Sequence, residues 1–281
     1  MQFPHHLAAE TVRAALAEDL GLAGDITTNA LIPSDAVSGA ALVLREEGCI
    51  AGLPLAVAAF RALDPEARVE AHQREGSMAR AGCVVARVSG RTRAILSAER
   101  VALNLVQRLS GVATATRGFV EAVEGTGAKI VCTRKTTPCL RAFEKYAVRA
   151  GGGANHRYGL FDAVLIKDNH IAAAGSIAGA IERARAAVGH MVKIEVEVDT
   201  LAQLEEVLRH PVDAVLLDNM SAGELAQAVR LARGARPGIL CEASGGVRLD
   251  TVRAIAEAGV DMISVGALTH SVRALDIGLD Y

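Results

Sequence analysis

The stretch GGGANHRYGLFDAVLIKDNH, residues 151–170, sets His156, Arg157, Lys167 and His170 around three glycines and a short aliphatic run. A solvated surface does not read this way. Cations among glycines and buried-type aliphatics need a counter-charge, because a charge removed from water is costly unless paired. Between Lys129 and His170 there are eight Lys or Arg against three Asp or Glu, although the chain as a whole carries a formal net charge of −2. The local excess marks where an anion is expected, and the overall balance argues against a nucleic-acid partner. Other chemistry-bearing residues recur at the ends of short aliphatic runs. Arg134 and Lys135 follow KIVCT, Glu195, Glu197 and Asp199 lie in KIEVEVD, and Asp218 and Asn219 follow AVLL. Glu242, Ser244, Gly245 and Gly246 end ILCEASGG, and Ser264, Val265 and Gly266 lie in MISVGAL.

The elements that must position these groups form a repeating unit. Six runs, at 129–136, 163–170, 193–199, 214–220, 239–246 and 262–268, are each followed by a helical segment. Unbroken aliphatic runs are what strands buried on both faces require, and alternation with helices makes them parallel. Thr200 with Gln203 and Ser221 with Glu224 read as capping boxes that start two of the helices. The dinucleotide fingerprint GxGxxG is missing, which favours a closed barrel over an open doubly wound sheet. The spacing therefore predicts a TIM-like βα barrel of reduced strand number, with the ligand at the carboxyl ends of the strands. The small residues at the last two strand ends suit a phosphate, bound by backbone N–H groups and a helix N-terminus.

Ahead of the barrel the grammar is mixed. Helices are expected over 7–20, 54–63 and 97–109, the last capped by Ser97, and strands over 39–45, 67–72 and 82–90. This predicts an α/β protein with an N-terminal α+β sandwich domain over 1–112, a barrel over 113–268, and a tail, 269–281, returning to the first domain. Hydrophobic residues make up 51% and aromatics 3%, so the core is aliphatic. The five cysteines show no CxxC pair, no apolar run reaches the ~18 residues of a membrane span, and no secretory signal is visible. A cytoplasmic protein with reduced thiols and no membrane partner is expected.

Each candidate has a plainer alternative. The glycine triplet could be only a flexible loop. Arg134 and Lys135, if in one strand, point to opposite faces, so a turn is needed for both to enter the barrel. Lys167 is either salt-bridged or functional, and in an aldolase-like enzyme it would form a Schiff base. Glu197 and Asp218 could simply neutralise the cations. Alternatively they hold a metal, bind sugar hydroxyls, or offset a developing positive charge.

TRKTTPCLR (133–141), KYAVRAGGGANHRYGLFDAVLIKDNH (145–170), EVEVDT (195–200), LLDNM (216–220), EASGGV (242–247) and ISVGAL (263–268) resemble quinolinate phosphoribosyltransferases, as do EDLGLAGDITTNALIP (18–33) and LSAERVALNLVQRLSGVAT (96–114). The resemblance covers nearly the whole chain. It implies transfer of phosphoribosyl from phosphoribosyl pyrophosphate, with Mg²⁺ and no organic cofactor, to quinolinate. The products are nicotinate mononucleotide, pyrophosphate and CO₂, in de novo NAD synthesis. It assigns Thr133, Arg134, Lys135, His156, Arg157 and Lys167 to a substrate pocket that is cationic. Lys135, Lys167, Glu197 and Asp218 become the catalytic set, with Glu197 and Asp218 contacting ribose hydroxyls or Mg²⁺. Ser244, Gly245, Gly246, Ser264, Val265 and Gly266 hold the 5′-phosphate. Arg100 enters the neighbouring subunit's site in a homodimer, which can assemble further into a hexamer. No nucleophilic residue is expected. A related ModD-like branch, found with molybdate-transport genes, shares the fold and is an alternative with a different substrate. One departure is Cys139, where the family has glycine; a positive φ there would strain the turn.

Overall fold

The structure, a computed structural model, describes residues 2–281. It divides into two compact units: one takes residues up to Arg117 with 136–152 and 268–281, the other 118–135 with 153–267. The segment 136–152, which reads in sequence as barrel, thus groups with the first unit, and the border falls at 117 rather than 112.

In the first unit α1 (His5–Leu20) buries Ala8, Val12 and Leu16 at helical spacing and packs on α3 (Leu53–Leu63), while α2 (Ile26–Leu31) is capped by Asp25. Strands β1 (Val37–Leu44), β3 (Arg68–Ala71) and β5 (Val84–Arg91) join the tail strand β12 (Ile277–Asp280) in an antiparallel sheet of order β12-β1-β5-β3. A short pair, β2 (Gly48–Cys49) with β4 (Met78–Ala79), stands apart. Helix α4 runs over Thr92–Ala122, so Ser97 is inside it and not its cap. Its hydroxyl instead donates to Asp25 Oδ2 at 3.0 Å, a side-chain bond that leaves the helical ladder intact. Helix α5 (Arg141–Ala150) belongs here through buried polar contacts. Glu144, 0% exposed, accepts from Arg108 Nη2 at 2.8 Å and from the Thr137 N–H at 3.0 Å. Tyr146 donates to Glu75, whose carboxylate also accepts the N–H groups of Gly52 and Leu53 at the start of α3.

The second unit holds β6 (Lys129–Val131), β7 (Val164–Ile166), β8 (Ile194–Val198), β9 (Ala214–Asp218), β10 (Leu240–Ser244) and β11 (Met262–Ser264). All pairings are parallel, in the order β6-β11-β10-β9-β8-β7. Successive strands are neighbours and the last pairs with the first, which is the cyclic order of a βα barrel with six strands. The ladder is interrupted between β6 and β7, where the bridge Val131–Ala154 stands in. Helices α6 (Asp168–Ala174), α7 (Ile177–Ala187), α8 (Leu201–Leu208), α9 (Ala222–Ala235) and α10 (Val252–Glu257) follow the strands, and the four-residue α11 (Ala267–His270) falls on the border, with Leu268–His270 in the first unit. Both predicted capping boxes form. Among the described residues no helix is long and apolar enough to cross a membrane.

Candidate active site

Alternate side chains of a strand point the same way. On β8, Ile194, Val196 and Val198 are buried, and the intervening Glu195 and Glu197 share the opposite, inner face. Leu216 and Asp218 on β9, and Glu242 and Ser244 on β10, continue that face in register: Glu197 pairs with Leu216, Leu216 with Glu242, and Asp218 with Ser244. Ser264 ends β11 on the same side. Glu197, Leu216, Asp218, Glu242, Ser244 and Ser264, with Thr133, Arg134, Lys135, His156, Arg157, Leu165 and Lys167, line one cavity of ≈ 370 Å³, and Glu195 shares that face without lining it.

The cations reach it by different routes. Strand β6 stops at Val131, so strand alternation does not govern Arg134 and Lys135. The Lys135 N–H donates to Thr133 Oγ1 at 3.0 Å, and this turn lets both side chains face the hollow. Among the described residues Arg134 makes no hydrogen bond or ion pair, and its Nε is buried without a partner. Arg157 donates from Nη1 to Ala163 O at 3.1 Å and keeps a buried, unpartnered Nε. Burial lowers the Arg157 pKa, and the neighbouring Arg134 guanidinium lowers it further, against the pull of Asp162 and Glu195. Two forks of like charge in one hollow, each with unused donors, have the chemistry to take an anion. Lys167, just beyond β7, donates from Nζ to Glu197 Oε2 at 2.6 Å.

His156 lines the hollow but adds no charge to it. Its Nδ1 accepts the N–H of Arg157 at 2.8 Å, so Nε2 carries the ring hydrogen and donates to Glu195 Oε2 at 2.9 Å. The imidazole is therefore neutral with both nitrogens engaged, which corrects its place in the cationic set. Asp218 accepts from Asn219 Nδ2 on one oxygen and, like Glu197, keeps the other without a protein donor. Two open carboxylate oxygens suit sugar hydroxyls or a Mg²⁺ ion carried by a polyphosphate.

Of the six residues expected to seat a phosphate, only Ser244 and Ser264 line the cavity. Gly245 and Gly246 have φ of +91° and +58°, and their N–H groups donate to no carbonyl among the described residues. A Cβ on Gly245 would run into the Asn219 side chain. Asn219 itself has φ +55° and donates its N–H to Ser244 O at 2.9 Å, so the two strand-end loops interlock. Val265 is a correction: its N–H is spent on Val131 O at 3.0 Å and its side chain is buried, leaving nothing to offer a phosphate. Gly266 precedes α11 and does not line the cavity. Arg100 lies on α4 in the first unit, its side chain 58% exposed with Glu99 at 3.9 Å, and is not among the lining residues. Cys139 adopts φ +65°, the left-handed conformation that the family's glycine at this position raised as a concern.

Glu195 and Glu242 stand out in the sequence as strand acids, but no site role is assigned to either there. A glutamate within an aliphatic strand, two positions from Glu197 in one case and before Ser-Gly-Gly in the other, was the available signal.

Residues 112–280 match the model of the quinolinate phosphoribosyl transferase C-terminal domain, and residues 25–110 match that of its N-terminal domain. The chain belongs to the quinolinate phosphoribosyltransferase family. A relative from Bacillus subtilis (strain 168), named a probable nicotinate-nucleotide pyrophosphorylase (carboxylating), is 46% identical over 94% of this chain and 89% of its own. The Mycobacterium leprae nicotinate-nucleotide pyrophosphorylase (carboxylating) is 46% identical over 97% and 96%. The solved nicotinate-nucleotide pyrophosphorylase of Francisella tularensis superposes with a TM-score of 0.93 at 39% identity, covering 99% of this chain and 97% of that one. The architecture expected from the sequence, an N-terminal α+β sandwich domain followed by a TIM-like βα barrel of reduced strand number, agrees with these matches.

Proposed function

We infer that the protein is a phosphoribosyltransferase that makes nicotinate mononucleotide from quinolinate, releasing CO₂ and pyrophosphate, in the synthesis of NAD. The observation that carries this reading is the pair Arg134 and Arg157, two guanidiniums with unused donors facing one hollow. Quinolinate brings two adjacent carboxylates, and a guanidinium takes a carboxylate by two parallel hydrogen bonds. Phosphoribosyl pyrophosphate is the donor we propose, its 5′-phosphate against the free N–H groups of Gly245 and Gly246 and its ribose toward Glu197 and Asp218.

As the bond from ribose C1 to pyrophosphate breaks, positive charge grows on the sugar ring. Glu197 and Asp218, fixed on neighbouring strands, would offset it without forming a covalent bond. Lys167 holds Glu197 in place and, with Lys135, adds positive charge for the departing pyrophosphate. The quinolinate nitrogen then bonds to C1. The C2–carboxylate bond breaks, its electron pair is stabilised by the new pyridinium, and a proton takes the place of CO₂. Mg²⁺ bound to the pyrophosphate would find the open oxygens of Glu197 and Asp218 and would supply further charge neutralisation. Nothing favours the Schiff-base reading, since Lys167 is committed to Glu197, or the ModD-like alternative.

The assembly we propose is a homodimer in the cytoplasm whose sites are completed by the partner's Arg100, which accords with that side chain's exposure. Mixing Arg100→Ala with Lys167→Ala chains should restore activity in mixed dimers; none regained after confirmed exchange would remove the shared site. The direct test of function is product analysis with phosphoribosyl pyrophosphate and either pyridine. Quinolinate should yield nicotinate mononucleotide and CO₂, and nicotinate should yield little; equal use of nicotinate would overturn the assignment.

A further inference from the structure

Below the two guanidiniums lies a cluster that the transfer chemistry leaves unused. Glu242 is 1% exposed, and neither of its carboxylate oxygens accepts a hydrogen bond; Glu195 Oε1 is buried and equally unpartnered. His156 Nε2 sits between them, 2.9 Å from Glu195 Oε2 and 3.5 Å from Glu242 Oε1. One ligand-type atom from each of the three residues lies within 4.8 Å of the others, the spacing of a divalent-metal site. The imidazole's hydrogen bonding argues against a metal. A metal-bound histidine ligates through a bare nitrogen and donates its other N–H to an acceptor. Here Nδ1 receives the Arg157 N–H, so Nε2 bears the hydrogen and has no lone pair to give.

What remains is two buried carboxyl groups and a single N–H between them, and that hydrogen is directed at Glu195. Two adjacent carboxylates out of water do not both stay ionised; one takes a proton. Glu242 is the more deeply buried. Burial, and then the charge of Glu195, push its carboxyl up to about 7. The groups around it are Glu195 from β8, His156 and Arg157 from the loop between α5 and β7, Arg134 from the loop after β6, and the Ser264 hydroxyl from β11.

We propose that Glu242 is a third, uncharged recognition group for the dicarboxylate substrate: it works as the carboxylic acid, so that a dianion and a proton enter the hollow together. The idea rests on the reading of the site given under Proposed function. Glu242 lines the same cavity as Arg134 and Arg157. Ionised, it would repel the substrate and cancel part of the arginines' charge; protonated, it does neither. Because binding and protonation are linked, the dianion must raise the proton affinity of Glu242 by the factor by which ionised Glu242 weakens the dianion.

The test is calorimetry of the intact enzyme with phosphoribosyl pyrophosphate and phthalate, the benzene analogue of quinolinate, which has no ring nitrogen to react. Titrations at pH 8 in two buffers of different ionisation enthalpy count the protons taken up. The wild type should take up close to one proton per phthalate, and its Kd should rise by about tenfold per pH unit above pH 7. Glu242→Gln, the same shape with no titration, should bind at pH 8 at least as tightly, with no proton uptake and a flat Kd. Binding to the wild type without proton uptake, or equal uptake in the variant, would overturn the role of Glu242 alone. No binding of phthalate or quinolinate at any pH would remove the dicarboxylate site itself. The wild-type titration decides the matter even if the variant folds poorly.

Discussion

Arg157→Ala separates binding from folding, because the free protein keeps this guanidinium at a cost. Its Nε is buried without a partner, and its charge is opposed by burial and by Arg134. Truncation loses the bond to Ala163 O, about 1 kcal/mol, but relieves a desolvated charge and a like-charge contact. The melting temperature should therefore stay within a few degrees of wild type or rise. Binding should suffer: a charge-assisted hydrogen bond contributes ~1.5–3 kcal/mol, and a carboxylate left beside no partner costs more, so KM for quinolinate should rise ~10- to 1000-fold. Arg157→Lys keeps the charge and loses the fork, and should fall between the two. The assay is steady-state kinetics with quinolinate varied at saturating phosphoribosyl pyrophosphate, beside a thermal melt. An unchanged KM in a folded variant would refute the clamp. A collapse in melting temperature would show that Arg157 is held for structure.

Gly245→Ala should distort the interlocked loops, since φ of +91° is strained for alanine and its Cβ would meet Asn219. KM for phosphoribosyl pyrophosphate should rise at least about tenfold by kinetics, with a smaller effect on quinolinate. Cys139→Gly should relieve a left-handed non-glycine residue and raise stability by ~0.5–1 kcal/mol, read as a higher urea midpoint. Glu242 has a folded-state pKa raised from 4.5 to about 7, so its contribution to stability is complete below 4.5 and is lost as pH rises through about 7. The melting temperature of the wild type relative to Glu242→Gln should fall between pH 6 and 8; a relative rise would contradict the sign.

Much of the barrel could be read from the chain because local chemistry and global fold agree there. The capping boxes at Thr200 and Ser221 form as their sequences require, and the aliphatic runs become strands buried on both faces. The gathering of cations followed from the same topology, since strand ends converge. Other features depended on which hydrogen bonds tertiary structure makes available. Ser97 is an ordinary cap residue in sequence, but Asp25 takes its hydroxyl and the helix runs through it. Val265 lies in a small-residue loop, yet its N–H is used by β6. His156 counts as a potential cation until Arg157's own N–H occupies Nδ1. Glu242 resembles one more strand-end acid, and only burial beside Glu195 reveals that it lacks a partner.

The central claim is that Arg134 and Arg157 together receive the two carboxylates of one pyridine. A crystal structure with quinolinate bound tests it most directly. One ring should lie in the hollow, with carboxylate oxygens at hydrogen-bond distance from both guanidiniums and the ring nitrogen turned toward Glu197 and Asp218. Quinolinate bound elsewhere, or in the hollow with either arginine turned away from it, would contradict the account.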